Sequence, residues 1–384
     1  MRAPSVFSRD FLLLFLSALA FSSSFQLLLT TLPLYASQMG AREAQIGLII
    51  GLFAASSFVA RPLTGWQLDR GRRVPVLVAG ATIFALSAVG YAAVSSVALL
   101  LVVRAFHGVG MATYNTAGQT LVAELAPPSR RGEAMGAFGA ANTIAAAMAP
   151  VAGMAILLAS GYHPLFAVSF YLAAGAVVLS ALVREPKRIR SGQKPHLFNR
   201  SALGPGVSTL ALMFTYGAVA SFVPLHALRQ GMENPGFYFT VYSAAMVLAQ
   251  AVCGPISDRL GRMAVIVPGL ALTAVGTAAN AFLGGWWLLG AAVLFGLGSG
   301  GTQPALFALA TDNAKETERG SAMATVGMFL EVGISGGAIV AGLLAEQVGL
   351  EMAFVCVAAS PLLGLLFAAA SRLSPRLRLG TDAA

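Results

Sequence analysis

Gly65-Trp66-Gln67-Leu68-Asp69-Arg70-Gly71-Arg72-Arg73 returns half a chain later as Gly254-Pro255-Ile256-Ser257-Asp258-Arg259-Leu260-Gly261-Arg262. Each copy closes one long apolar run and precedes another, so each reads as a short charged turn between two membrane-spanning helices. A loop that occurs twice at corresponding places implies a duplicated chain.

Composition fixes the medium. Of 384 residues, 57% are hydrophobic and 10% charged, too little polar surface for a water-soluble domain, so the lipid bilayer is the solvent. The net charge of +9 does not point to nucleic acid, because the basic residues sit in short turns between apolar runs, where they orient the chain. Cys253 and Cys356 lie far apart inside apolar runs and suggest neither a metal site nor a redox compartment. The apolar run from Phe11 to Tyr35 is too long for the core of a signal peptide and reads as a retained first helix.

Spans of about 20 apolar residues fall at Phe11 to Tyr35, Ala44 to Leu68, Val74 to Val94, Val97 to Leu125, Ala134 to Ser160 and Pro164 to Val183. Six more follow at Gly204 to Leu228, Phe237 to Ser257, Met263 to Leu283, Trp286 to Thr311, Gly320 to Gln347 and Met352 to Leu373. The expected fold is an all-α membrane protein of 12 transmembrane helices in two pseudo-symmetric six-helix bundles, 1–183 and 204–384, joined by a basic linker, 184–203. Arg70, Arg72, Arg73, Arg130, Arg131, Arg259, Arg262, Lys315 and Arg319 share one side with the linker, whereas Arg42 and Arg229 lie on the other. That asymmetry places the linker and both termini in the cytoplasm of a multi-pass inner-membrane protein.

The repeat extends beyond the loop. Gly108 and Gly110 fall on Gly296 and Gly298, Asn115 on Gln303, Glu124 on Asp312, and Arg131-Gly132 on Arg319-Gly320, all at one shift (296 − 108 = 188). Two related halves imply a pseudo-two-fold axis along the membrane normal and a binding site where the halves meet near mid-membrane.

Twelve spans, a basic central linker and paired loops of the form Gly-x-x-x-Asp-Arg-x-Gly-Arg resemble the major facilitator superfamily, over the whole chain. The second loop fits in full; the first reads Asp69-Arg70-Gly71-Arg72-Arg73, with one residue missing or the second glycine replaced. The resemblance implies that these loops latch the outward-facing state, through Gly65, Asp69, Arg70 and Arg72 and through Gly254, Asp258, Arg259 and Arg262. Physically, the glycines let helices approach closely, and the aspartates at cytoplasmic helix ends accept hydrogen bonds from arginines. Glu124 and Asp312, at the ends of the fourth and tenth spans, join the same charge cluster. The alternative is that these arginines only set topology.

Within the fourth span, Leu100-x-x-x-Arg104-x-x-His107-Gly108-x-Gly110 resembles the arginine motif of the drug/proton antiporter branch, where the arginine contributes to proton coupling. A guanidinium at membrane depth costs at least ~2.5 kcal/mol and so faces a cavity or a partner. His107 lies one turn away, either as a proton carrier or as a hydrogen-bonding strut. The fifth span carries Gly136, Pro150 and Gly153, close to the antiporter signature of that branch, with small residues for packing and a proline for a kink.

Glu331, whose repeat counterpart is Thr143, is the only acidic residue deep in any span. Desolvation favours its neutral form until water, substrate or Arg104 reaches it, so it can couple a proton gradient to alternating access. A glutamate that stays protonated and bonds a neighbouring helix is the alternative. Gln26, Tyr114, Asn115, Gln119, Asn142, Tyr216, Tyr242, Gln250 and Gln303 are the candidate substrate contacts, with Phe25, Phe214 and Met246 supplying apolar walls. The inventory is mostly neutral and suits small amphipathic solutes.

The expected function is proton-coupled efflux of such molecules by a monomer in the lipid bilayer, with a proton-coupled importer as the alternative. An enzyme would need a metal cluster or acid pair that four scattered histidines and one buried glutamate do not supply. No phosphate-binding loop for ATP and no cofactor motif is present.

Overall fold

In lipid, backbone N–H and C=O groups find partners only in one another, so apolar runs of this length fold as helices. The computed structural model describes residues 8–70, 72–127, 130–185, 199–315 and 318–373. The first half of the chain supplies α1 (Arg9–Gln38), α2 (Glu43–Asp69), α3 (Arg73–Ala93), α4 (Val97–Leu125), α5 (Arg131–Ser160) and α6 (Tyr162–Ala181). The second supplies α7 (Leu203–Arg229), α8 (Gly236–Leu260), α9 (Met263–Phe282), α10 (Leu288–Asp312), α11 (Arg319–Val348), α12 (Leu350–Val357) and α13 (Ala359–Leu373).

Among the described residues there is no strand, and eleven helices are long and apolar enough to cross a bilayer. The twelfth expected span is divided into α12 and α13. Pro361 has no N–H to offer the Val357 carbonyl four residues back, and its ring crowds that carbonyl, so the helix parts at Ala358. Most of the linker, 186–198, lies outside the described residues.

Local chemistry sets the helix ends. Ser8 accepts from the Phe11 N–H at 3.2 Å and Ser96 from the Leu99 N–H at 3.3 Å, each satisfying an orphan donor of a first turn. The α5–α6 and α11–α12 turns are made by Gly161 (φ +82°) and Gly349 (φ +85°), in a left-handed conformation that other residues rarely adopt. They are again 188 residues apart.

By packing, the chain falls into two compact units. Unit 1 comprises Met1–Ala41, Leu52–Ser191 and Asn234–Thr240. Within it α1 packs on α5 and α6, and α3 on α4 and α6. Its core stacks Phe21 on Tyr114 at 3.8 Å. Beside that pair the Ser17 hydroxyl donates to the Ala176 carbonyl (3.0 Å) and accepts from Tyr114 (2.7 Å) and Ser180 (2.8 Å). With no hydrophobic drive between helices in lipid, such interhelical bonds at ~0.6–2 kcal/mol each help to set the packing. The start of α8 belongs here too, Asn234 donating to the Val151 carbonyl at 3.3 Å.

Unit 2 comprises Arg42–Gly51, Gly192–Glu233 and Val241–Ala384. Within it α7 packs on α11 and α9 on α10, with α12 and α13 against both α7 and α9. The start of α2 lies on α11: Ser335 donates to the Gly51 carbonyl at 2.8 Å, and a side chain at Gly47 would collide with the Ala338 carbonyl. Arg42 pairs with Glu346 at 3.8 Å and Arg229 with Glu43 at 3.3 Å.

The recurrent glycines have a common cause. In unit 1 a Cβ at Gly108 would strike the Phe53 carbonyl, and one at Gly110 would come within 2.8 Å of the Phe84 nitrogen. In unit 2 a Cβ at Gly296 would come within 2.5 Å of the Tyr242 carbonyl, and one at Gly298 within 2.5 Å of the Thr273 nitrogen. In each unit, therefore, the fourth helix of the repeat lies backbone to backbone on its second and third.

Candidate functional site

The charged centre of unit 1 is built on α4 and held from α2 and α3. Arg104 is fully buried, its guanidinium 4.1 Å above the Phe53 ring, an attractive placement for a desolvated cation. Its Nη1 lies 3.2 Å from His107 Nδ1, and the Tyr91 hydroxyl lies 2.8 Å from the same nitrogen. A guanidinium can only donate, so Nδ1 accepts and the imidazole is the neutral tautomer with its hydrogen on Nε2. That Nε2 has no hydrogen-bond partner among the described residues, and the ring lies against Phe84 with centroids 3.8 Å apart. His107 in this state steadies Arg104, since a proton on Nδ1 would point at the guanidinium. Tyr91 and Phe53 were not among the sequence candidates; a tyrosine and a phenylalanine in apolar spans carry no signal apart from their partners.

In unit 2, Glu331 is 9% exposed, on a helix fixed closely against α7. Side chains at Gly333 and Gly337 would collide with the carbonyls of Leu210 and Phe214, and the Phe329 ring covers Gly206. The carboxylate therefore sits on a closely packed element and is buried within protein.

The two loops are anchored differently from the sequence expectation. Arg262 donates through Nε to Asp312 at 2.8 Å, through Nη1 to Ser257 at 3.2 Å, and to Asp258. The hydrogen bonds it donates to Asp312 and Asp258 raise its pKa further above the usual arginine value. In unit 1 the corresponding cation is Arg73, not Arg72. Its Nε and Nη2 donate to Glu124 at 3.1 and 2.7 Å, while Arg72 is exposed. Both working arginines stand four residues after the aspartate (69 to 73, 258 to 262), so the first loop has its second glycine replaced and nothing missing. The Arg70 guanidinium lies 3.4 Å over the Trp66 ring. Arg259 is turned to the opposite face of α8, beside Pro255, Ile256 and Leu260.

Among the described residues, Gly65, Gly254 and Gly136 mediate no close approach, since a Cβ at any of them would meet nothing within 4 Å. Gly153 does, under the Leu27 carbonyl, and Pro150 is buried in α5. The side chain of Asp69 lies outside the described residues. Two further residues complete the second and first loops: Gly261 (φ +90°) turns the chain, and Glu185 accepts from the backbone N–H groups of Arg73 and Val74, both at 2.9 Å, at the start of α3.

Of the neutral candidates, Tyr114 is a core residue, consumed by its stack on Phe21 and its bond to Ser17. Gln26 is buried, Asn115 and Gln303 are half-buried, and Gln119 and Asn142 are exposed. In unit 2, Tyr216 and Tyr242 face each other across 6.2 Å, with Phe295 5.3 Å from Tyr242. Gln250 opens onto a crevice between α8 and α10.

Comparison with known proteins fits this arrangement. The chain is similar to the staphylopine export protein of Staphylococcus aureus, 23% identical over 366 residues that cover 90% of this chain and 92% of that one. It is also similar to the multidrug resistance protein MdtG of Citrobacter koseri, 22% identical, covering 94% of each. A solved bacterial homolog of the human lysosomal transporter Spinster superposes with a TM-score of 0.80 at 18% identity, over 99% of this chain and 100% of that one. The nucleoside transporter NupG gives 0.78 at 14% identity, over 94% and 99%. The Major Facilitator Superfamily model matches residues 14–239 and 206–383, and the chain accordingly belongs to that superfamily of membrane transporters.

Proposed function

We propose that this protein exports small amphipathic molecules in exchange for protons by alternating access, as a monomer in the inner membrane with both termini in the cytoplasm. The observation that carries the proposal is Glu331: a carboxylate in a membrane-depth helix, 9% exposed and closely packed, which gains or loses a proton as its access to water changes. Arg104, steadied by His107 and Tyr91, supplies a fixed positive charge at membrane depth in unit 1. Substrate and proton then compete for one site, and the proton gradient drives the exchange. Relatives that export staphylopine and confer multidrug resistance support the outward direction. Basic residues concentrated in the turns on the linker side support the orientation.

The test is flux in inverted vesicles of a host expressing the protein, energised by an imposed pH gradient and challenged with lipophilic dye substrates. The expected result is gradient-dependent uptake that Glu331→Gln abolishes while dye binding persists. Uptake unchanged by Glu331→Gln at a saturating gradient would remove this residue from the mechanism.

A further inference from the structure

The crevice between α8 and α10 belongs to unit 2 alone and has a volume of about 350 Å³, enough for a small organic molecule. Its walls are apolar along α10, where Gly300, Gly301, Pro304, Ala305 and Ala308 face it. Its polar groups gather at the α8 side: Gln250, Ser257, Asp258 and Arg262. Among the described residues one cation joins the two ion pairs at this end. Arg262 is shared between Asp258 inside the crevice and Asp312 behind it, one cation against two carboxylates. Arg259, at the end of α8, faces away from it. The Asp258 side chain is well exposed, so a second cation can reach it.

We propose that this crevice is a binding site for a small amphipathic cation, whose apolar tail lies along Gly300 to Ala308 and whose headgroup takes Asp258 from Arg262. Occupancy leaves Arg262 to Asp312 alone and loosens the tie between the end of α8 and the loop that follows it. The site is lined by neither α7 nor α11, so it is separate from Glu331, and it stands whether or not Glu331 carries protons.

Cys253 lines the crevice and reports on it, whereas Cys356 is exposed elsewhere, on α12. The experiment is modification of the intact wild-type protein in nanodiscs by N-ethylmaleimide, followed peptide by peptide by mass spectrometry, with hexyltrimethylammonium or hexanesulfonate as competitor. The expected result is that the cation slows labelling of Cys253 about tenfold at about ten times its dissociation constant, that the sulfonate does not, and that Cys356 is unaffected by either. In Asp258→Asn the cation loses its protection. A Cys253 that does not react, equal protection by both competitors, protection by neither, or protection that survives Asp258→Asn would each overturn the proposal. The cation–anion comparison needs no variant and decides the matter even where Asp258→Asn does not fold.

Discussion

Arg72 and Arg73 are adjacent arginines in one loop, and the structure gives them opposite weights. Arg73→Ala removes both donors from a Glu124 oxygen in a pair whose side chains are 7% and 17% exposed. The other Glu124 oxygen has no hydrogen-bond partner among the described residues, so the carboxylate is left largely desolvated and uncompensated. Breaking a fully buried pair costs about 3–5 kcal/mol, and the partial exposure of Glu124 favours the lower end, ~3 kcal/mol. Arg72→Ala, at an exposed position, is expected to change stability by less than ~0.5 kcal/mol. At roughly 2–4 °C per kcal/mol for a body of this size, Arg73→Ala lowers the apparent melting midpoint by about 6–12 °C, and Arg72→Ala leaves it within a degree or two. The assay is thermal unfolding in detergent, read by tryptophan fluorescence and repeated in a Glu124→Gln background. There the Arg73→Ala loss shrinks to about 1 kcal/mol, because most of the cost comes from the stranded carboxylate. Equal shifts for the two arginines, or no coupling to Glu124→Gln, would refute this assignment.

Two further outcomes follow from the packing. Gly108→Ala and Gly296→Ala each force a Cβ into backbone and lose about 1–3 kcal/mol. Gly65→Ala and Gly254→Ala, in helices with open space beside them, lose nothing and gain up to ~1 kcal/mol from helix propensity; chemical unfolding of the four variants checks the contrast. Glu185→Ala withdraws a charged acceptor from two N–H groups at the α3 start and lowers stability by about 1 kcal/mol, measured as a shift in the unfolding midpoint that Glu185→Asp largely restores.

The helical fold was legible because hydropathy and repeat spacing are one-dimensional signals. The shift of 188 pairs Gly108 with Gly296 and Gly161 with Gly349, and both pairs prove to do the same backbone work in their own units. The break at Ala358 was legible too, in Pro361, but length alone hid it. The sites were less so. Matching letters to the pattern selects Arg72; counting four residues from each aspartate selects Arg73, the one that pairs with Glu124. Tyr114 has the composition of a ligand contact, and only the stacked Phe21 and the Ser17 hydroxyl reveal it as packing. Gly65 and Gly136 look like close-approach glycines until the space beside them is seen.

The backbone frame and the charges of the loops were copied, but the ionisable side chains deeper in the spans were not. At the shift of 188, Arg104 answers to Ala292, His107 to Phe295, and Thr143 to Glu331. One half carries the guanidinium and its imidazole neighbour and the other the carboxyl group, so the halves are not interchangeable parts. The likeness of the halves is thus preserved in their glycines, and their difference is written into three buried side chains.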